Sequence, residues 1–360
     1  MLLLYLFIAL LSLVGAKLRK KGEVLDPLSR DQSTMIKGMF VLLVFASHIS
    51  QYLGAFLDSS VGNMAFLSRT YVLVRDKLGQ FIVVPFLFYS GYGIRIQAER
   101  TENAYFQSFP RKRILRVYSH ALLILAVFLL VQLALGTSYS ARQIGLSAVF
   151  WESLGNSNWY VFAVILLYCI TYLCFRLLRK PWYAALACWL LTLAYCVWIS
   201  RYKEAWWFDS VLAYCYGLSY PALRRSGLFK RISRSLPARL GCLAAALIVY
   251  QYLRAPANAG AFVSGLFSNL RYIAAMQALL LILRQLQIGN RVLNWLGKHS
   301  FEVYMLQRIP MLVLSHFKLQ AFSVPVFIAS CALATVLLSA LCAAGFSRFD
   351  RNCLRIKQAK

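Results

Sequence analysis

The apolar residues of this chain are gathered into blocks of about 15–23 residues, and this pattern restricts what the chain can fold into. A helix needs ~20 predominantly apolar residues to cross the hydrocarbon core of a bilayer. Hydrophobic residues occupy 60% of the 360 positions and charged residues 14%. Soluble domains carry about 25% charged residues. The pattern predicts an all-α polytopic membrane protein and excludes a soluble secreted domain, a nucleic-acid-binding module and a disordered chain.

The blocks divide the chain into ten core transmembrane helices and one N-terminal helix. The predicted spans are 2–16, 35–52, 81–94, 117–135, 159–178, 182–199, 210–222, 240–252, 269–286, 300–316 and 324–346. Residues 1–30 are predicted to form an N-terminal membrane helix and a basic cytoplasmic loop. Residues 31–350 form the transmembrane domain, and 351–360 form a basic cytoplasmic tail.

The net charge of +27 is explained by where the basic residues lie. Alternate connecting segments, starting after the first span, hold 29 of the 39 lysines and arginines; they are 17–37, 95–116, 176–181, 223–239, 284–299 and 345–360. Cytoplasmic loops are enriched in these residues. The asymmetry predicts a multi-pass protein of the cell (inner, cytoplasmic) membrane with its C-terminus in the cytoplasm. The charge then faces anionic membrane lipids, and no nucleic-acid partner is implied.

The first apolar block has the opposite charge order to a signal peptide. In a signal peptide the positive charge precedes the apolar run. Here Lys17, Arg19, Lys20 and Lys21 follow it. We therefore expect residues 1–16 to be a retained helix whose N-terminus lies outside the cell.

The nine cysteines carry no spacing typical of a metal or disulfide site. Most lie inside apolar blocks, and neither a CxxC pair nor a Cys/His ligand pattern occurs. We predict neither a disulfide framework nor a bound metal.

A cation and a histidine lie eleven residues apart on the second span, at Lys37 and His48. At 1.5 Å per residue this spacing places His48 about 16 Å deeper than Lys37. Ionisable groups inside a membrane are costly and usually mark function. A histidine can act as a general base on an attacking hydroxyl. The alternative is a neutral histidine that bonds to a neighbouring helix.

Five segments in the order typical of the acyltransferase 3 family carry a resemblance to it. They are the Lys37–His48 pair, the aromatic run 86–92 with Ser90-Gly91, the basic run 109–118 with Arg113 and Arg116, the Asn158-Trp159 start of a span, and the late segment 300–310 with Tyr304, Gln307 and Pro310. The chain differs from the family at two positions. Lys37 stands where the family usually has Arg, and Gln307 stands where it has His.

The resemblance implies a membrane O-acyltransferase that uses acyl-CoA, most readily acetyl-CoA, as its donor. The donor phosphates need fixed cations, and Arg113 and Arg116 are expected to supply them from one face of a helix N-terminus. Lys37 and Arg95 are further candidate cations for the donor site. The alternatives are that Arg95 extends its charge to the membrane surface and that the basic segment with Arg113 and Arg116 faces lipid headgroups. Ser90-Gly91 is expected to end a helix that Pro85 interrupts, where small residues admit either a second backbone or the acyl-pantetheine arm.

The resemblance also implies an acceptor hydroxyl on an envelope glycan or a lipid-linked sugar. His48 is the expected base, and Glu152 and Asp209 are candidates to orient either His48 or an acceptor hydroxyl. Arg308 is expected to face a water-filled cavity and to hold an acyl oxygen or an acidic group. The expected acceptor-binding residues are Asn158, Trp159, Asp209, Tyr304 and Gln307.

A non-enzymatic transporter or flippase of a polar or lipid-linked substrate is the alternative. In that case the polar helix residues line a substrate path. The sequence leaves the acceptor, the acyl chain and the oligomeric state open.

Overall fold

The computed structural model describes residues 1–20, 25–54, 65–101, 103–178 and 180–356. Within these ranges, six helices are long and apolar enough to cross a membrane: Arg30–Gln51, Tyr105–Ala134, Asn158–Leu177, Pro181–Ile199, Ala261–Leu283 and Val324–Asn352. An all-α multi-pass membrane protein is therefore confirmed. Lys21, Arg179 and the tail residues 357–360, which enter the charge asymmetry above, lie outside the described residues.

The described helices are named in chain order. They are α1 Leu2–Leu13, α2 Arg30–Gln51, α3 Ala65–Leu78, α4 Val84–Thr101, α5 Asn103–Phe109, α6 Arg116–Ala134, α7 Ala141–Ala148, α8 Asn158–Leu177, α9 Pro181–Ile199, α10 Leu212–Arg225, α11 Gly227–Arg234, α12 Leu236–Tyr252, α13 Ala261–Leu283, α14 Arg291–Lys298, α15 Ser300–Leu306, α16 Arg308–His316, α17 Leu319–Phe322 and α18 Val324–Asn352. Short 3₁₀ turns cover Gly79–Val83 and Ala205–Trp207, and a π-helical turn covers Pro110–Leu115. Lys17–Leu18 pairs antiparallel with Leu286–Gln287.

The basic segment 111–116 does not open a helix, contrary to the prediction. The chain is already helical in α5, passes through the π-helical turn and continues into α6. Pro110 begins the π-helical turn; it has no amide hydrogen and cannot donate to the carbonyl of Phe106. The helix-dipole argument for Arg113 and Arg116 is therefore wrong. The wider turn also changes the angle between their side chains from that of two residues on a regular α-helix face.

The Ser90-Gly91 pair lies in the interior of α4 and does not end a helix, again contrary to the prediction. Pro85 follows the change from the 3₁₀ turn Gly79–Val83 to α4 and lies in the first turn of α4. The helix therefore continues to Thr101 and presents Ser90 and Gly91 from its middle.

The predicted span 300–316 is divided in two at Gln307. Pro310 explains the break, because it cannot donate a hydrogen bond to the carbonyl of Leu306, four residues earlier. Arg308 and Gln307 consequently lie at an interruption between α15 and α16.

Two pairs of glycines bring helix backbones into close contact. A Cβ added at Gly91 of α4 would collide with the carbonyl oxygen of Tyr214 in α10. One added at Gly217 would collide with the carbonyl of Phe88. Gly38 of α2 and Gly297 of α14 face each other's helix in the same way. Small residues permit this approach in membrane helices, and it fixes α4 and α2 around the site described below.

Gly91→Ala is expected to destabilise the protein by about 1–3 kcal/mol, because the added methyl group overpacks a helix contact. The measurement is thermal unfolding of the purified protein in detergent. Gly93→Ala is the matched control, since a Cβ there has open space around it. Equal melting temperatures for the two variants would contradict the close contact.

Candidate active site

The first of two cavities, here called the cationic cavity, has a volume of about 560 Å³. Its basic lining residues come from α2, the basic segment 111–116 and the end of α14; they are Arg30, Lys37, Lys112, Arg113, Arg116 and Lys298. Glu302 is the acidic residue in the lining. This excess of positive charge suits a polyanionic ligand.

Lys37 and Arg113 are the cations best placed to bind an anion in this cavity. Both side chains are half-buried, and Arg113 lies beside the hydroxyl-bearing rings of Tyr105 and Tyr168. Among the described residues, neither cation has a carboxylate within 4.0 Å. A partly desolvated cation without an internal counter-ion favours an anionic ligand.

Arg116, unlike Arg113, is paired with a carboxylate. Its guanidinium forms an ion pair with Asp350, with a nitrogen 2.8 Å from one carboxylate oxygen, and His120 Nε2 lies 2.8 Å from the other oxygen. Asp350 is buried near the end of α18, and the His120 ring stacks on Phe346 with centroids 4.0 Å apart. Arg116 therefore joins α6 to α18 and lines the cavity with part of its charge already neutralised.

Ser90 lines the cationic cavity, but Arg95 does not. The hydroxyl of Ser90 shares a 2.8 Å hydrogen bond with that of Tyr168. Arg95 is buried and donates to Glu99 at 2.7 Å and to the carbonyl of Pro181 at 2.9 Å. The structure thus places the predicted donor-binding residue Arg95 in an internal link between α4 and α9.

The second cavity, here called the histidine cavity, has a volume of about 620 Å³. It contains His48, Gln51 and Ser47 at the end of α2, with Arg308 at the start of α16. Gln80 and Tyr304 also line it. The remaining polar and aromatic lining comes from the loop before α8, the start of α8 and the loop before α10: Trp151, Glu152, Ser153, Asn156, Ser157, Asn158, Trp159, Lys203, Glu204, Trp206 and Trp207. Indole rings beside carboxylates and amides form a surface that suits a sugar.

His48 meets a hydroxyl through one ring nitrogen. Its Nε2 lies 3.3 Å from Ser157 Oγ, whereas its buried Nδ1 has no hydrogen-bond partner among the described residues. Glu152 lines the same cavity, but no carboxylate of the described chain hydrogen-bonds to His48. The group found beside the histidine is therefore Ser157 rather than the predicted acid.

Ser157 was not predicted, and three interactions converge on it. Its Oγ contacts His48 Nε2 and accepts a hydrogen bond from Arg308 NH1 at 3.3 Å, and its carbonyl accepts one from Tyr304 at 3.3 Å. Ser157 is also the residue before α8, a position where a serine ordinarily caps the helix. Here its side chain makes no capping bond. The sequence does show a serine directly before Asn158-Trp159, but a serine in that place is typical of an ordinary helix start.

Arg308 is oriented by neutral side chains. Besides Ser157, its guanidinium donates to Gln51 Oε1 at 2.6 Å and lies over the ring of Tyr52 at 6.0 Å. The described residues offer it no ion pair. Its positive charge faces the histidine cavity and is available to a developing negative charge.

The predicted acceptor-binding residues separate into two groups. Trp159 and Asn158 line the histidine cavity, although the amide of Asn158 also donates to the carbonyl of Phe150 at 2.8 Å. Asp209 and Gln307 line neither cavity. Gln307 is fully buried and donates to the carbonyl of Tyr304 at 3.1 Å. Burial raises the pKa of Asp209 to about 8, and this carboxyl lies outside both cavities.

Tyr304 connects the two cavities. Its ring lines both of them, as does Val83. The ring centroid of Tyr304 lies 6.0 Å from that of His48 and 5.2 Å from that of Tyr160, which lines the cationic cavity. Tyr304 is thus shared by the cavity that contains Lys37 and the cavity that contains His48.

The family model of the acyltransferase 3 family, described as an acyltransferase domain, matches residues 32–344. The chain belongs to this family. No match was found among curated proteins or among solved structures.

Membership of the acyltransferase 3 family makes the chain a membrane acyltransferase, which requires an acyl donor and an acceptor. The structure shows which cavity each of the main motif residues lines. Lys37, Ser90, Arg113 and Arg116 line one cavity and His48 lines the other, with Tyr304 common to both. These motif residues therefore line two neighbouring cavities that share Tyr304 and Val83.

Proposed function

We propose that the protein transfers an acyl group from cytoplasmic acyl-CoA to a hydroxyl of an envelope glycan or a lipid-linked sugar. The acyl group we propose is acetyl. The observation that carries the proposal is the junction at Tyr304 of a cationic cavity with a cavity that contains His48. One side fits a polyphosphate and the other a sugar. A thioester that extends from the first toward the second would arrive beside the base.

In this proposal, cations of the first cavity bind the phosphates of the donor. Lys37, Arg113 and Lys298 approach from three different elements. Ser90 and Tyr168 line the path for the pantetheine arm, and the acyl group lies near Tyr304. Arginine forks bind phosphates in two-point contacts, whereas the lysines act as point charges.

In the histidine cavity, His48 takes the proton of a hydroxyl while the oxygen of that hydroxyl attacks the thioester carbonyl. A carbon–oxygen bond forms, the carbon–sulfur bond breaks, and the CoA thiolate recovers the proton from His48. Arg308 stabilises the negative charge that develops on the carbonyl oxygen. Trp159 and the neighbouring indoles hold the sugar, and Glu152 contributes an acceptor for its hydroxyls.

The proposal places the reaction in the cytoplasmic membrane, with ten core crossings and one N-terminal helix. The six long apolar helices supply six crossings, and α4, α10, α12 and the interrupted pair α15–α16 supply the other four. All basic residues of the cationic cavity then come from segments with cytoplasmic charge enrichment.

We expect Arg231→Cys, on α11, to react with a membrane-impermeant thiol reagent only after the cells are permeabilised. Tyr202→Cys, in the loop after α9, should react in intact cells. Both side chains are exposed, so accessibility within the protein does not limit the reaction. A Cys353→Ser background removes the exposed native thiol. Labelling of Arg231→Cys from outside would reverse the orientation.

The interrupted pair α15–α16 between two opposed cavities also favours the alternative of a transporter or flippase, since broken helices often form transport sites. Labelled acetyl-CoA discriminates between the two. The acyltransferase binds it and transfers the label to an envelope glycan or lipid extract, and mass analysis of those glycans changes when the gene is deleted. A transporter moves its substrate across vesicles without acetyl-CoA and leaves the glycan masses unchanged.

A further inference from the structure

We infer that Ser157 is the first nucleophile of the reaction and carries the acyl group as an ester before the acceptor receives it. The inference rests on the proposed function and divides it into two half-reactions. His48 is then the base for two hydroxyls in turn, that of Ser157 and that of the acceptor.

The hydrogen-bond directions around Ser157 are those of an activated nucleophile. The Arg308 guanidinium has only donors, so Ser157 Oγ accepts its hydrogen bond. The single proton of Ser157 is then available to His48 Nε2, 3.3 Å away. A nucleophile within hydrogen-bond reach of a base is typical of covalent catalysis, and such contacts are often longer without substrate.

The other nitrogen of His48 offers no alternative route. Nδ1 is buried and without a partner among the described residues. An acceptor hydroxyl in the histidine cavity therefore finds the accessible nitrogen already in contact with Ser157. Direct transfer would require the acceptor to displace Ser157, whereas a Ser157 ester leaves His48 Nε2 free for the acceptor in the second step.

The surroundings of Ser157 can stabilise a tetrahedral intermediate. The hydroxyl of a serine before a helix usually accepts a hydrogen bond from an amide of the first turn. The hydroxyl of Ser157 makes no such bond. The first amide groups of α8 have no partner within the helix and lie at its positive end. Together with Arg308 they provide donors for an oxyanion formed on the carbonyl that Ser157 attacks.

The position of Ser157 also suits a relay. Tyr304, which lines both cavities, holds the Ser157 carbonyl at 3.3 Å, and Ser157 itself lines the histidine cavity. The donor can deliver its acyl group past Tyr304 and leave before the sugar arrives. The charged donor and the sugar then never need to meet in one cavity.

Each half-reaction balances. In the first, Ser157 Oγ bonds to the acyl carbon, its proton passes to His48, the carbon–sulfur bond breaks and the CoA thiolate takes that proton. In the second, the acceptor oxygen bonds to the acyl carbon, its proton passes to His48, the ester bond to Ser157 breaks and Ser157 recovers the proton. No oxidant or metal is required.

An isotope-exchange measurement without acceptor tests the ester. Purified protein is mixed with acetyl-CoA and labelled free CoA, and the label should enter acetyl-CoA because the first half-reaction is reversible. Ser157→Ala should reduce the exchange to the level of a reaction without protein. Ser50→Ala is the matched control: it is on the helix of His48, bonds to the Ser47 carbonyl at 2.7 Å, lines neither cavity and should exchange as the wild type.

A second readout is the mass of the peptide that contains Ser157 after the wild type and acetyl-CoA are quenched in acid. One added acetyl group on Ser157 supports the inference, even if Ser157→Ala fails to fold. A wild type that acetylates its acceptor but neither exchanges CoA nor carries acetyl on Ser157 overturns it and leaves the proposed function standing. Exchange by Ser157→Ala at the wild-type rate overturns it as well. A wild type that neither binds acetyl-CoA nor transfers acetyl groups contradicts the proposed function itself.

Discussion

His48→Ala is expected to lower acyl transfer by about 10²–10⁴-fold, the usual cost of removing a positioned general base. The attacking hydroxyl has a high pKa and loses its proton only to a group within hydrogen-bond reach. In the structure that group is His48 Nε2, in contact with Ser157. His48→Gln keeps a polar side chain of similar reach but cannot accept the proton, so the same loss is expected. The measurement is acetyl transfer by the purified variants.

Donor binding separates a lost base from a lost fold. His48 lines the histidine cavity and not the cationic cavity, so both variants should bind acetyl-CoA with the affinity of the wild type. His316→Ala is the control, because this exposed histidine lines neither cavity. Full transfer by His48→Gln would assign His48 a structural role and direct attention to Arg308.

Arg113→Ala is expected to weaken acetyl-CoA binding about ten- to a hundredfold. Loss of one charge-assisted hydrogen bond costs about 1.5–3 kcal/mol. Arg113 is half-buried in the cationic cavity and has no carboxylate partner among the described residues, so its charge is available to the donor phosphates. The measurement is the dissociation constant for acetyl-CoA, with the Michaelis constant of the acceptor as a second readout that should stay unchanged.

Two neighbouring arginines serve as comparisons for the effect of Arg113→Ala on acetyl-CoA binding. Arg111→Ala should leave binding unchanged, because Arg111 is exposed and does not line the cavity. Arg116→Ala should have a smaller effect on affinity than Arg113→Ala and a larger effect on stability, since Arg116 is paired with Asp350. Equal affinities for Arg113→Ala and the wild type would assign Arg113 to lipid or packing contacts.

The motif residues show where sequence reasoning succeeds. Lys37 and His48 are eleven residues apart, close to three helical turns, so they share one side of any regular helix. The structure keeps them on α2 and places them in different cavities, one toward each end. This separation follows from local geometry alone, and it is the main axis of the proposed reaction.

Arg95 and Arg116 show where sequence reasoning fails. Both are basic residues near a predicted donor site, and in the structure each is paired with a carboxylate. Glu99 is four residues from Arg95 on the same helix, but Asp350 is 234 positions from Arg116 along the chain. The pair between Arg116 and Asp350 depends on how two helices pack, and pairs of this kind decide which cations are left for a ligand.

The sequence by itself determined the membrane class, the family and the identity of the base candidate, because these depend on block length, on motif order and on spacing within one helix. Only the tertiary structure decided that Ser157 and Arg308 flank His48 and that Tyr304 lines both cavities. His48 lies in α2, Ser157 directly before α8 and Arg308 at the start of α16, three segments that are distant in sequence. Their contacts depend on helix packing, on the break at Gln307 and on glycines that admit close backbones, none of which has a signal in local hydropathy or periodicity.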